Sequence, residues 1–256
     1  MVHYDQNESA RAEVSAARAA EHLGDYRHAA KHYVNAGSLV GGTAEAWAYH
    51  EAAVAFRRCE DLKAALAAVE IAAEAASATN RTYLRAQVNL TASNILADLK
   101  RWREAAEAAQ TAQQIFKSMA AFVESQYAHI ALARCLPALG DKAKAFRTYR
   151  DLAGPRSSFE IRTQALNNLA ILHSEVGDNE TAIKLIRDDI LLCREAGASY
   201  GEFVAQVNLA QFLAENGNVD DALYQAKLAL TIGQPHRQTA SYDLAQAIIA
   251  RRGAIR

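Results

Sequence analysis

The chain has 256 residues, 51% of them hydrophobic and 22% charged, with a formal net charge of −1. That is too apolar for a disordered chain and too evenly charged for a general nucleic-acid or membrane-surface binder. Only 12 glycines and 3 prolines are present, so turns are few, the elements between them are long, and helices are favoured.

In chain order, breakers and apolar periodicity predict helices over 6–23, 26–38, 44–58, 61–78, 82–99, 102–119, 122–139, 142–152, 158–176, 179–196, 200–216, 219–232 and 236–252. The first two are separated by Gly24-Asp25, where glycine ends a helix in the left-handed conformation and the aspartate accepts from free N–H groups of the next. Asp141, Asp178 and Asn218 are predicted to cap in the same way after Gly140, Gly177 and Gly217. Further breakers stand between repeats at Gly37, Gly41-Gly42, Asn80, Gly154-Pro155, Gly197 and Gly233 with Pro235. Pro137, inside the seventh helix, is expected to bend its last turn. The last helix is unpaired, and Gln238, Asp243, Gln246, Arg251 and Arg252 suit it to cover the end of the array as a cap.

A repeat organises these helices. Turn residues at Gly24, Cys59, Lys100, Gly140, Gly177 and Gly217 are 35, 41, 40, 37 and 40 positions apart. Five positions after each stands Ala29, Ala64, Ala105, Ala145, Ala182 or Ala222, and seven before each stands Ala17, Ala52, Ser93, Ala133, Ala170 or Ala210. Small residues at both places let the two helices of a pair approach closely, while leucines such as Leu23, Leu169 and Leu209 supply apolar bulk alongside. The repeats run over 6–40, 43–79, 80–120, 121–154, 157–197 and 199–233, followed by a capping helix over 236–252.

Leu23-Gly24-Asp25-Tyr26 with Ala29, Tyr33 and Ala17 resembles the helix-turn-helix signature of the tetratricopeptide repeat family. The resemblance covers nearly the whole chain. It is weakest at Cys59-Glu60 and at Lys100-Arg101-Trp102, where the turn glycine is missing. It implies an all-α, right-handed superhelical solenoid of six repeats plus a capping helix. The period exceeds the family's usual value of about 34, which is similar to its long-helix members: kinesin light chains, adaptors with GoLoco partners and bacterial peptide sensors. Those relatives imply recognition of a peptide on the concave face formed by the first helix of each pair.

Residues that carry chemistry do not assemble into a catalytic pattern. His28 and His32 have the i, i+4 spacing of a metal pair, without the HExxH glutamate or a third ligand, and read as the polar outer face of their helix. Gly41-Gly42 lacks the lysine and hydroxyl residue of a phosphate loop, and Ser157-Ser158 lies in no nucleophile motif. Cys59, Cys135 and Cys193 are three separated cysteines, which fits reduced thiols. No enzyme activity, metal or cofactor is expected. The first 30 residues contain no signal-peptide core and no stretch has the about 18 apolar residues of a membrane span, so a cytoplasmic protein is expected. The expected partner is a protein or peptide segment, with neither nucleic acid nor membrane; a structural, self-assembling homo-oligomer is the alternative. Trp47 and Trp102 are read as core before partner anchors.

Positions two, six, nine and thirteen before each turn lie opposite the small packing residue and face the groove. Arg11, Arg18, His22, His50 and Arg57 occupy them early in the chain, Tyr127 and Arg134 in the fourth repeat, and Glu175 and Glu215 in the last two. A partner with acidic residues would be oriented by such a gradient; an ordinary solvated mixture of charges is the other reading. Asn89, Asn168 and Asn208 each begin an Asn-Leu pair in a first helix, although asparagine is a poor helix former. Side-chain amides there can pair with a peptide backbone, or can bond a neighbouring helix of the array. Asn89 joins the set only if the third repeat holds two extra residues before its turn.

Overall fold

The computed structural model describes residues 7–233 and 240–253, and among them all regular structure is helical. The helices are α1 (Glu8–His22), α2 (Tyr26–Ser38), α3 (Gly42–Arg58), α4 (Leu62–Ser77), α5 (Thr82–Asp98), α6 (Trp102–Ser118), α7 (Phe122–Cys135), α8 (Lys142–Leu152), α9 (Phe159–Glu175), α10 (Asn179–Glu195), α11 (Ser199–Glu215), α12 (Val219–Ile232) and α13 (Ala240–Gly253). They fall into two compact units, Met1–Ala145 and Phe146–Arg256, with the boundary inside α8. In the first unit α1 to α7, and in the second α9 to α13, each pack against the next helix in the chain.

One local device makes the turn inside each helix pair. A residue just beyond the first helix takes a left-handed conformation, and the N–H of the next residue returns to a carbonyl five positions back, as Asp25 does to Ala20 at 2.8 Å and Asp178 to His173 at 2.9 Å. Asp25, Asp61, Asp141 and Asp178 then accept from the N–H of the third residue beyond them. Those bonds hold the carboxyls of Asp25 and Asp178 below the usual aspartate range. Asn218 departs from expectation, since its side chain makes no capping bond and α12 starts with Asp220 and Asp221 in its first turn.

Repeat 2 corrects the sequence register by one residue. The left-handed residue is Glu60, at φ 62°, and Cys59 before it is the end of the helix. The matching close-packed alanine is therefore Ala65, which is fully buried, and Ala64 is only half-buried. A small side chain at Cys59 was the misleading cue; the cap Asp61, immediately after Glu60, is what aligns this turn with Gly24-Asp25. Lys100 also turns left-handed, at φ 61°, as expected. Pro137 does not bend a helix: α7 ends at Cys135 and the proline stands in the turn that follows, where no helical N–H is required.

Alanines line the helix-helix contacts. Ala17, Ala29, Ala53, Ala105, Ala182 and Ala210 have no exposed surface, so the helices they join lie close together. Ser93 takes that place in α5 and is equally buried, with no hydrogen-bond partner for its hydroxyl. Larger side chains fill the remaining space, among them Tyr33 and Phe116 in the first unit and Phe203 and Ile186 in the second, each burial contributing about 1.5–3 kcal/mol. Trp47 meets Tyr33 edge to face at 5.9 Å. At the end of the second unit α13 packs on α11 and α12, burying Ala245 beside Phe203, Val207 and Ala229, while Asp243 and Gln246 face solvent. That is the arrangement expected of a cap. Gln238 and the side chains of Arg251 and Arg252 lie outside the described residues.

Candidate functional site

The first helices of successive pairs touch each other: α3 with α5, α5 with α7, and α9 with α11. A ladder of polar pairs joins them. Tyr83 donates to Glu124 at 2.8 Å, His50 Nε2 and Thr91 Oγ1 share a bond of 2.9 Å, and Arg57 donates to Asp98 at 2.6 Å. In the second unit Asn208 donates to Asn167 at 2.5 Å, and Ser174 to Glu215 at 3.1 Å. Every one of these pairs is separated by 41 residues in sequence.

Counted back from the left-handed residue of each repeat, the rungs coincide. His50 and Asn167 stand ten before Glu60 and Gly177, and their partners Thr91 and Asn208 nine before Lys100 and Gly217. Arg57 and Ser174 stand three before, and Asp98 and Glu215 two before. Tyr83 and Glu124 extend the series by a further seven residues, two helical turns, so the rungs run along one edge of each helix. Two units with different residues thus use one geometry to set the register of neighbouring first helices.

Several expected site residues sit in or beside this ladder. His50 is buried, 8% exposed, with Glu51 at 3.2 Å on its other ring nitrogen. Arg57 shares Asp98 with Arg134, whose guanidinium donates to the second carboxylate oxygen at 2.6 Å. Arg18 is exposed and its guanidinium lies 5.9 Å from the centre of the Trp47 ring. Arg11 is exposed and Tyr127 half-buried. In the corrected register Trp47 is thirteen before Glu60, so this position carries Arg11, Trp47, Gln87 and Tyr127 in the first unit. The other tryptophan, Trp102, is half-buried against Leu96, Ala97 and Cys135.

Two cavities open beside the first helices. One, of about 800 Å³, lies at the N-terminal ends of α3 and α5, walled by Trp47, Tyr83, Leu84 and Met119 with Arg81 and Gln87 among its polar groups. The other, of about 380 Å³, lies between α9 and α11 and includes Asn208, Ser174, Glu175 and Glu215.

The fold is that of tetratricopeptide-type helical-repeat proteins. The chain is similar to a Rap protein solved with competence and sporulation factor, at 14% identity and a TM-score of 0.66 over 82% of this chain and 63% of that one. It is similar to NprR solved with its cognate peptide NprX, at 11% identity and TM-score 0.69, covering 92% and 69% of the two chains. It also resembles the Rap conjugation gene regulator of plasmid pLS20 solved with the Phr* peptide, at 15% identity and TM-score 0.61, covering 95% and 73%. The chain therefore spans about 63% of the length of the first of these. No family model matches the chain, and no curated protein matches it in sequence.

The three asparagines do not form one set. α5, α9 and α11 each have 17 residues, so the third repeat holds no extra residues, and Asn89 is eleven before its turn where Asn168 and Asn208 are nine before theirs. The nine-before position of α5 is Thr91. Asn89 and Asn168 donate to carbonyls one turn back on their own helices, Arg85 and Gln164, each at 2.8 Å, whereas Asn208 bonds the neighbouring helix through Asn167. All three are half-exposed, and one N–H used leaves a second donor and acceptor capacity on each amide.

Sequence reasoning missed Asp98, although it stands at a groove position, two before Lys100. Trp47, read as core before partner anchor, packs against Tyr33 and also lines the larger cavity, thirteen before Glu60. The histidine pair of α2 is split between two carboxylates, His28 on its own cap Asp25 and His32 on Glu13 of α1, both at 2.7 Å. No described helix is long and apolar enough to cross a membrane, and no group of three or more metal-binding side chains occurs among the described residues.

Proposed function

We propose that this chain is a non-enzymatic scaffold that acts in the cytoplasm and holds a peptide or an extended protein segment against the face built by its first helices. The observation that carries this reading is the half-exposed amide pair at one equivalent position, Asn168 and Asn208, the second of which lines an open cavity between α9 and α11. Amides with spare donors and acceptors suit a peptide backbone of any sequence. The fold adds support, since the Rap, NprR and pLS20 proteins named above were each solved with a peptide or factor bound. Arg11, Arg18, Tyr127 and Arg134 are proposed for the first-helix face of the first unit, whereas the buried, doubly bonded His50 is given to holding α3 against α5.

Selection of a random displayed peptide library on the full chain tests the proposal. Peptides should be enriched, and replacing Asn168 and Asn208 together by Ala should weaken them about tenfold, the worth of one or two hydrogen bonds. The double variant should lose no more stability than the Asn208–Asn167 bond is worth, about 0.5–1.5 kcal/mol. A large loss of stability with binding retained in the folded fraction would assign the amides to the array alone. Light scattering on dilution addresses the self-assembling alternative, which a concentration-independent monomer removes.

A further inference from the structure

Two features of the first unit lie on the same helices, and each holds groups that the ladder does not use. At the N-terminal ends of α3 and α5 is the cavity of about 800 Å³ with Trp47, Tyr83, Leu84 and Met119 in its walls. Tyr83 and Met119 are 38% and 43% exposed, so large apolar surface faces this opening. At the opposite ends of α3, α5 and α7 stand Arg57, Asp98 and Arg134. Asp98 accepts one N–H from each arginine at 2.6 Å, and the arginine side chains are 38% and 35% exposed.

The rung needs only Arg57 and Asp98. Its equivalent in the second unit, Ser174 with Glu215, holds two first helices together with no cation at all. Arg134 adds a second guanidinium, which leaves the cluster one positive charge in excess, and each guanidinium has five N–H donors of which a single one is given to Asp98 in the bonds above. Such donors suit a second carboxylate in the planar, forked geometry that arginine favours.

We propose that these two features are the ends of one site, selective for an extended acidic peptide segment: a bulky apolar side chain enters the cavity, and an Asp or Glu side chain meets Arg57 and Arg134 beside Asp98. The proposal rests on the peptide-binding reading above and names the class of peptide. Trp47 and Arg57 are ten residues apart on α3, about 15 Å at 1.5 Å per residue. An extended chain advances about 3.3 Å per residue, so the apolar and acidic residues are about four to five positions apart. Asp98 is then an internal competitor for the partner's carboxylate.

Library selection on the full-length protein, its Asp98→Asn variant and its Arg57→Gln, Arg134→Gln double variant tests this, with melting curves confirming that each is folded. Peptides selected on the unaltered protein should share a large apolar residue about four to five positions from Asp or Glu. Asp98→Asn should bind those same peptides roughly threefold to tenfold tighter, because it removes the competing charge and keeps both arginines. The double variant should lose the acidic preference and keep the apolar one. Peptides that bind without the paired pattern, or that bind Asp98→Asn no tighter, overturn this inference and leave the peptide-binding reading standing. Failure to enrich any peptide overturns the reading itself. If the double variant does not fold, the direction of the Asp98→Asn effect decides alone, since a cluster that serves only to join helices gives no gain in affinity.

Discussion

Asp189 makes the stability of the second unit depend on pH in a direction opposite to that of most carboxylates. Its side chain is 3% exposed on α10, between the buried Ile186 and Ile190, and its one hydrogen bond is accepted from the Cys193 thiol at 3.9 Å. Burial pushes the Asp189 carboxyl from 3.8 up to about 7, against the smaller lowering effect of that bond. The thiol itself is driven up to about 12 by burial and by the charges of Asp189 and Glu202. A carboxyl raised in the folded state holds its proton where the unfolded chain has released it. Its contribution to stability is therefore complete below about pH 4 and is lost as pH rises toward about 7. The shift of about three units corresponds to about 4 kcal/mol, a large share of a typical domain stability of roughly 5–15 kcal/mol. Asp189→Asn keeps the shape and removes the titration. Urea unfolding of the two proteins from pH 5 to pH 8 should show the variant gaining about 3 kcal/mol over the original across that interval. A difference that stays constant with pH, or a carboxyl ¹³C titration of Asp189 with its midpoint near 4, would refute the argument.

Three other predictions concern the turns and the close contacts. Glu60→Gly and Lys100→Gly should each stabilise by about 0.5–1 kcal/mol in thermal or urea melts, because glycine takes the left-handed conformation without a Cβ penalty; no gain would place the strain elsewhere. Ala65→Leu and Ala182→Leu should each cost about 1–3 kcal/mol by overpacking, while Ala64→Leu should be nearly neutral; the reverse order for Ala64 and Ala65 would restore the uncorrected register of repeat 2. Ser93→Ala should raise the melting temperature by removing a buried hydroxyl without a partner, worth about 1–3 kcal/mol, and a fall would reveal a bond to that hydroxyl.

The helix pairs and most of their turns were determined by local sequence. Gly24-Asp25, Gly140-Asp141 and Gly177-Asp178 encode both the end of one helix and the start of the next, since left-handed backbone and N-capping are properties of a few adjacent residues. The alanines five places later follow from the same local frame, because a helix projects its side chains at fixed angles from its first turn. Where glycine is absent the frame slips: at Cys59-Glu60-Asp61 three residues compete for the turn, and only the buried Ala65 and the left-handed Glu60 decide among them.

Tertiary structure alone decided what the first-helix face does with its side chains. A polar residue three or four positions from another can be paired on paper, but Arg57 with Asp98 and Asn167 with Asn208 are 41 residues apart, and their meeting depends on how one repeat is staggered against the next. The repeated string Ala-Gln-Val-Asn-Leu illustrates the limit. It recurs at Asn89 and Asn208 with a two-residue offset from the turn, so identical neighbours in sequence point to different surroundings in space. Side-chain identity is written in the chain; the rotation and stagger that bring His50 inside and leave Arg134 at a shared carboxylate arise only when whole helices pack.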